Sequence, residues 1–222
     1  MVHQRNLVSM HPIVIIDYGR GNLRSVQKGF EKVGWEALIT RDTQKIRDAR
    51  AVVLPGVGAF RDCMKNLERF DLVDPILDSI RNGKPFLGIC LGLQLLFSES
   101  EEFGSTPGLN VFQGKVRRFP SDIPAMRGLK IPHMGWNSVA LRRDHPVFSG
   151  VPEGAEFYFV HSYYPAPADE GWAAGWTEYG IRFCAAVAHG NLVAVQFHPE
   201  KSGRPGLAIL ANFCRWGGTY AQ

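Results

Sequence analysis

Cys90 interrupts an apolar run, Pro85-Phe-Leu-Gly-Ile-Cys90-Leu-Gly-Leu-Gln-Leu-Leu-Phe97, that starts with strand character and resumes with helical spacing. The Gly88-x-Cys90-x-Gly92 core has the form of a nucleophile elbow, with cysteine where hydrolases of that pattern carry serine. Small neighbours are required there because the nucleophile occupies a strained conformation at a crowded strand-to-helix junction. The same junction puts the sulfur at a helix N-terminus, where the positive end of the dipole favours thiolate. The chemistry this suits is attack on a carbonyl carbon. A cysteine in an apolar run is otherwise a core residue, and Cys63, Cys184 and Cys214, which lack such surroundings, are read that way.

A thiolate needs a base, and the base needs something to orient it. Leu192-Val-Ala-Val-Gln-Phe-His198-Pro-Glu200 is a strand-like apolar run ending in an imidazole and a carboxylate. On an extended backbone His198 and Glu200 leave on the same side. Pro199 between them cannot donate to a sheet ladder, which suits the end of a strand. Glu200 can then hold the ring in one tautomer while His198 handles the proton of the thiol. Cys90 and His198 are over a hundred positions apart, so only the fold can unite them.

The elements that must do so alternate in the first half of the chain, as a parallel, doubly wound sheet requires. Ile13–Ile16, Ala51–Leu54 and Pro85–Ile89 read as buried strands. A helix is expected after Asn22 as its cap, with Leu23, Val26, Phe30 and Val33 on one face and Gly34 closing it. From Gly104 onward short strand-like pieces separated by Gly and Pro, including Gly114–Phe119, Phe157–Val160 and Phe183–Ala188, predict an antiparallel flank. A closing helix is expected near Gly206–Trp216. The fold class is α/β: a mostly parallel central sheet flanked by helices, flavodoxin-like, with an antiparallel β flank. A short extension over residues 1–11 and one domain over residues 12–222 are the expected organisation.

Gly-Ile-Cys-Leu-Gly-x-Gln and His-Pro-Glu together resemble the class I glutamine amidotransferases, whose Cys-His-Glu triad hydrolyses glutamine to glutamate and ammonia. Asp17-Tyr-Gly-Arg-Gly-Asn-Leu23, Leu54-Pro-Gly-Val-Gly-Ala-Phe60, Pro132-His-Met-Gly-Trp-Asn137, Phe157-Tyr-Phe-Val-His-Ser-Tyr163 and His198-Pro-Glu-Lys-Ser-Gly203 are similar to one branch, the glutaminase subunits of imidazole glycerol phosphate synthase. The resemblance implies Cys90 as nucleophile, His198 as base and acid, and Glu200 as its orienting carboxylate. It implies an oxyanion hole from the Leu91 amide and the Val57–Gly58 segment, with Gly56 and Gly58 letting the Val57 peptide rotate when a partner docks. Gly56, Gln94, Ser162 and Tyr163 correspond to substrate-binding positions, and Trp136, Tyr158 and Lys201 to the partner interface. His133 and His161 fall within family motifs but outside the triad, in structural or interface roles.

The implied partner is a cyclase subunit, a (β/α)8 barrel that consumes the ammonia for histidine biosynthesis; no cofactor and no metal are implied. Two other readings stay open at this point. One is the glutaminase component of anthranilate, carbamoyl phosphate or GMP synthesis, although those often carry Gly-His-Gln where this chain has Gly92-Leu93-Gln94. The other is a regulatory subunit without catalysis.

Bulk properties agree with an ordinary globular enzyme. Across 222 residues, 45% are hydrophobic and 21% charged, which argues against a disordered chain. The net charge of +4 is mild and its basic residues are scattered, so nucleic acid is a poor candidate partner. No apolar run approaches the ~20 residues of a membrane span. Four cysteines without C-x-x-C spacing fit a reducing cytoplasm.

Overall fold

A strand covered on both faces needs apolar residues at every position, and all of β1 (Ile13–Ile16) is buried. In the computed structural model, which describes residues 13–142 and 144–219, Ile13 and Ile15 enter one core while Val14 and Ile16 enter the other. The extension expected over residues 1–11 lies outside the described residues.

The chain continues through α1 (Leu23–Lys32), β2 (Ala37–Thr40), α2 (Thr43–Asp48), β3 (Ala51–Gly56), α3 (Phe60–Arg69), α4 (Val73–Arg81), β4 (Phe86–Cys90) and α5 (Leu91–Leu95). Strands β2, β1, β3 and β4 pair in that order, all parallel. Then come β5 (Phe97–Ser100), β6 (Thr106–Pro107), β7 (Phe112–Arg118), β8 (His133–Ser138), β9 (Ala140–Leu141), β10 (Glu156–His161) and β11 (Tyr163–Pro167). The chain closes with β12 (Ala173–Tyr179), β13 (Ile181–His189), β14 (Leu192–Val195) and α6 (Gly203–Thr219). Strand β14 lies parallel to β4, and β13, β12 and β9 extend the sheet antiparallel beyond it. Among the described residues this makes eight strands, in the order β2-β1-β3-β4-β14-β13-β12-β9. The expected antiparallel flank thus divides between this sheet's far edge, a ribbon β10-β8 and a second sheet β11-β7-β5-β6, which is mixed because β5 and β7 pair parallel.

Helices cover both faces. Phe30 of α1 packs with Ile209, Leu210 and Phe213 of α6 on one side; Phe60, Cys63 and Leu67 of α3 pack with Ile76 of α4 on the other. Strands β4 and β14 sit in the middle of the sheet, so the elbow and the His-Pro-Glu segment emerge beside each other at the same end. Crevices at the carboxyl ends of parallel strands are where such folds bind ligands.

Two local expectations need correction. Asn22 occupies the N-cap of α1, but its φ of −87° and ψ of 64° leave its side chain without a capping bond; only its carbonyl accepts, from Ser25 and Val26. That geometry departs from the extended conformation that aims a capping oxygen at the first turn. The closing helix begins at Gly203 rather than near Gly206. Gly206 lies inside it because a Cβ there would sit 2.0 Å from the Pro199 carbonyl oxygen.

Candidate active site

The elbow forms as its glycines predict. Cys90 has φ 56° and ψ −110°, a conformation that non-glycine residues rarely hold and that only a tightly packed surround sustains. That surround is built by absent side chains. A Cβ on Gly92 would lie 1.8 Å from the Leu54 carbonyl oxygen, and one on Gly88 2.8 Å from Ala194 Cβ. The helix that follows, α5, is only five residues long.

His198 follows β14 and leads into a 3-10 turn over Pro199–Lys201. Its Nδ1 is 2.8 Å from Glu200 Oε1, with the two side chains 3% and 1% exposed. The other nitrogen, Nε2, is buried without a hydrogen-bond partner. Burial alone would make this ring shed its proton. The charge of the neighbouring Cys90, and then the hydrogen bond and charge of Glu200, outweigh burial and raise its pKa well above the ordinary histidine range. The three groups are therefore together, and the proton rests on the imidazole. This differs from a ring waiting to accept a proton: at rest His198 is already the acid. The sulfur and Nε2 stop short of a formed hydrogen bond, as pairs often do before substrate tightens them.

Backbone bonds hold the catalytic turn. The Ser202 hydroxyl donates to the His198 carbonyl at 2.6 Å and accepts the Tyr158 N–H at 2.9 Å. The His198 N–H in turn donates to the Tyr158 carbonyl at 2.9 Å. Behind the turn, Gly29 of α1 leaves room for Glu200, whose Cβ would lie 3.2 Å from any Cβ added there.

A cleft of about 360 Å³ opens over the sulfur, lined by Cys90, Leu91, Gln94, Val57, Gly58 and the 160–163 segment, with Glu102 and Pro132. Val57, Gly58, Leu91, Gln94, Ser162 and Tyr163 are thus gathered as expected. Gly56 is not. It lies beneath the cleft, where a Cβ would meet Tyr18 Oη at 2.5 Å and Leu91 Cβ at 2.9 Å, so its role is steric. The positive φ in the segment belongs to Gly58, at 103°. The Val57 carbonyl accepts from Cys63 Sγ at 3.7 Å on the α3 side. In a trans peptide the Gly58 N–H then points the opposite way. Leu91, first residue of α5, carries an N–H with no intrahelical acceptor.

Gln94 is 5% exposed, and both its amide hydrogens are committed: Nε2 donates to the Tyr163 carbonyl at 2.9 Å and to Gln196 Oε1 at 3.0 Å. Only its Oε1 is left for a ligand. Sequence reasoning missed Glu102, which also accepts the Phe60 N–H at 2.6 Å, and Pro132, because loops carry both to the cleft from elsewhere. It also missed Ser202 and Gln196, which lie beside catalytic candidates in the sequence and are fully buried. A buried polar side chain must be hydrogen-bonded, and that was the available signal.

His133 and His161 pair across the β8–β10 ribbon, Nδ1 to Nε2, at 3.0 Å. Burial lowers His133 to about 4 and His161 to about 3. Outside the cleft, Trp136 is 55% exposed and stands edge-on to Tyr158, with ring centroids 6.2 Å apart, while Lys201 Nζ lies 5.8 Å over the Tyr158 ring. The three expected interface residues therefore form one exposed cluster. Cys63, Cys184 and Cys214 are buried free thiols, as expected.

Comparison with known proteins places this site in context. The family "Glutamine amidotransferase class-I" matches residues 14–216. The imidazole glycerol phosphate synthase subunit HisH of Geobacter metallireducens is 59% identical over 92% of this chain and 98% of its own length. That of Moorella thermoacetica is 52% identical over 92% and 94%. A solved glutamine amidotransferase superposes with TM-score 0.70 at 20% identity, covering 92% of this chain and 98% of that one. PurLQS from Thermotoga maritima gives TM-score 0.70 at 17% identity with the same coverage, and both show the shared fold.

Proposed function

The chain belongs to the class I glutamine amidotransferase family, and from that membership we propose that it is the glutaminase subunit of an imidazole glycerol phosphate synthase. The observation that carries the catalytic reading is one buried cluster: a strained Cys90, a proton-bearing His198, and Glu200 at 2.8 Å. The relatives at 59% and 58% identity bear the name of that synthase's subunit, which favours histidine biosynthesis over the other amidotransferase pathways.

The Cys90 thiolate attacks the side-chain carboxamide carbon of glutamine. The oxygen becomes an oxyanion, received by the N–H groups of Leu91 and the Val57–Gly58 segment. His198 gives its proton to the departing nitrogen, and ammonia leaves behind a γ-glutamyl thioester. The now neutral imidazole takes a proton from water, which attacks the thioester and releases glutamate and the thiolate. Gln94 Oε1, Ser162 and Tyr163 hold the rest of the substrate.

Ammonia takes up a proton in water and so loses its nucleophilic lone pair, which makes the reaction useful only beside an acceptor enzyme. The acceptor in this reading is the cyclase subunit, a (β/α)8 barrel, docked on Trp136, Tyr158 and Lys201. Aromatic residues at such a face bury area, and the lysine stem covers apolar surface while its charge stays wet. Residues 12–222 act as one amidotransferase domain. The setting is the reducing cytoplasm, which four free buried cysteines suit; no described helix is long and apolar enough to cross a membrane.

The test is glutamine-dependent turnover by the chain copurified with its cyclase, for the wild type and Cys90→Ala. Ammonia and glutamate released by the wild type and lost in the variant support the reading; equal release by both overturns it.

A further inference from the structure

Buried side-chain amides are ambiguous in isolation, because the oxygen and nitrogen ends have the same shape. Here the surroundings decide. A main-chain carbonyl can only accept, so the Tyr163 oxygen forces two neighbours to present N–H groups: His161 Nδ1 at 2.8 Å and Gln94 Nε2 at 2.9 Å. The Gln94 amide is thereby fixed, and its second N–H falls on Gln196 Oε1 at 3.0 Å. That contact fixes Gln196 in turn. Its NH2 end is left pointing at Cys90 Sγ, 3.7 Å away.

The His161 ring, fixed by the same carbonyl, orders a second branch. With its proton on Nδ1, its Nε2 must accept, and His133 Nδ1 lies 3.0 Å from it. His133 Nε2 then accepts from Asn137 Nδ2 at 3.3 Å, whose other bond runs to the Glu178 carbonyl at 2.9 Å. Every link of the chain has one donor and one acceptor, and reversing any amide would set like ends against each other. The backbone of Gln196 is held as well, its N–H donating to the Ala185 carbonyl at 2.8 Å.

We propose that Gln196 is a further catalytic residue, which holds the Cys90 sulfur by an N–H bond whose direction is imposed through Gln94 from the Tyr163 carbonyl. The proposal rests on Cys90 being the nucleophile. The sulfur is anionic at rest, uncharged in the thioester, and anionic again as the carbon–sulfur bond breaks. A donor fixed beside it binds the first and last states better than the middle one. It therefore favours thiolate over thiol and assists the sulfur as leaving group when water attacks. Gln196 lies outside the cleft lining but its Oε1 also holds the Gln94 amide, so the variant that isolates the sulfur contact must keep that acceptor.

The experiment reads Cys90 directly by iodoacetamide alkylation of the full-length chain across pH. The other thiols are silent in the working range, since burial pushes Cys63 up to about 11 and both Cys184 and Cys214 up to about 12. Gln196→Met removes the donor and keeps the volume. Gln196→Glu keeps the shape and replaces the donor by an anion. Hydrogen bonds to charged groups imply a tenfold to roughly hundredfold effect. The alkylation midpoint is expected to move up by about one pH unit or more, further for Glu than for Met. With the cyclase and its acceptor present, kcat of Gln196→Glu falls by about the same factor while its KM stays within about twofold, because the carboxylate keeps the acceptor for Gln94. A midpoint and kcat unchanged in a folded variant overturn the proposal.

Should both variants unfold, the wild type decides. The Gln196 side-chain amide resonance must follow the alkylation midpoint, and a resonance indifferent to Cys90 ionisation overturns the assignment. Failure of the glutaminase reading is separate: a wild type that releases no ammonia refutes that reading, while the alkylation profiles still judge the Gln196–Cys90 bond.

Discussion

Acidification should unfold this protein through two histidines that do no chemistry. His133 and His161 are 2% and 6% exposed. Their cage is aromatic: His133 stacks on Tyr179 and Phe159 at 4.1 and 4.7 Å, and His161 faces Phe119 and Phe183 at 5.3 Å each. Burial lowers them from 6.5 to about 4 and about 3. A group depressed in the folded state is protonated first in the unfolded chain, so stability is lost as pH falls below 6.5. Between about pH 7.5 and about pH 5, each ring costs about 2 kcal/mol, or about 4 kcal/mol for the pair. That is a large part of the ~5–15 kcal/mol that holds a typical domain.

His198 works in the opposite sense. Its raised value contributes stability that is complete below the unfolded pKa and fades as pH climbs through the folded one. Comparing the wild type with a His133→Gln, His161→Gln double variant cancels that contribution. Urea unfolding at several pH values should show the wild type losing about 4 kcal/mol more than the variant over this range. Parallel pH dependences would refute the claim that both rings are locked neutral.

Three further outcomes follow from the site. Gly92→Ala puts a methyl 1.8 Å from the Leu54 carbonyl oxygen, so it should lower stability by about 1–3 kcal/mol in thermal or urea melts and suppress turnover by displacing the elbow. Glu200→Ala leaves the His198 ring buried without its carboxylate; kcat should drop on the order of 10²–10⁴-fold with little change in KM, by steady-state ammonia release. Trp136→Ala, on a half-exposed ring, should leave the alkylation profile of Cys90 alone yet weaken cyclase binding by about 2 kcal/mol, by calorimetry or copurification.

Sequence spacing revealed what short-range chemistry dictates. Gly88-x-Cys90-x-Gly92 implied the strained elbow because only glycine permits those approaches, whereas His-x-Glu named the right pair for another reason: β14 ends at Val195 and a 3-10 turn over Pro199–Lys201, not extended backbone, brings Glu200 to the ring. The buried strands β1, β3 and β4 were legible as unbroken apolar runs. Strand β2 was not: Ala37–Thr40 is mostly half-buried at the sheet edge, and four residues carry little periodicity. The Asn22 cap failed because residue preference does not report ψ. Gly56 was read for its flexibility when its contacts with Tyr18 and Leu91 make it a matter of room, which depends on partners far away in the chain. Glu102 reaches the cleft through a loop between β5 and β6, a placement no local pattern encodes.

The two halves of the catalytic pair are held in unlike ways, and this locates the adjustable part of the site. Cys90 ends a strand whose neighbours β3 and β14 are buried along their whole length, and its φ of 56° survives only because Gly88 and Gly92 let backbone and side chains close in. Moving the sulfur means opening the centre of a parallel sheet. His198 instead hangs from a turn, fastened by the Tyr158 carbonyl and the Ser202 hydroxyl, and Tyr158 belongs to the ribbon that carries the exposed Trp136 cluster. The unmade bond between Sγ and Nε2 therefore lies between a sulfur held by the sheet and a ring held by a turn that is tied to this ribbon. Packed interiors resist graded deformation, whereas a turn held by a few hydrogen bonds yields. The site thus joins a nucleophile held by the centre of the sheet to an acid held by a hydrogen-bonded turn.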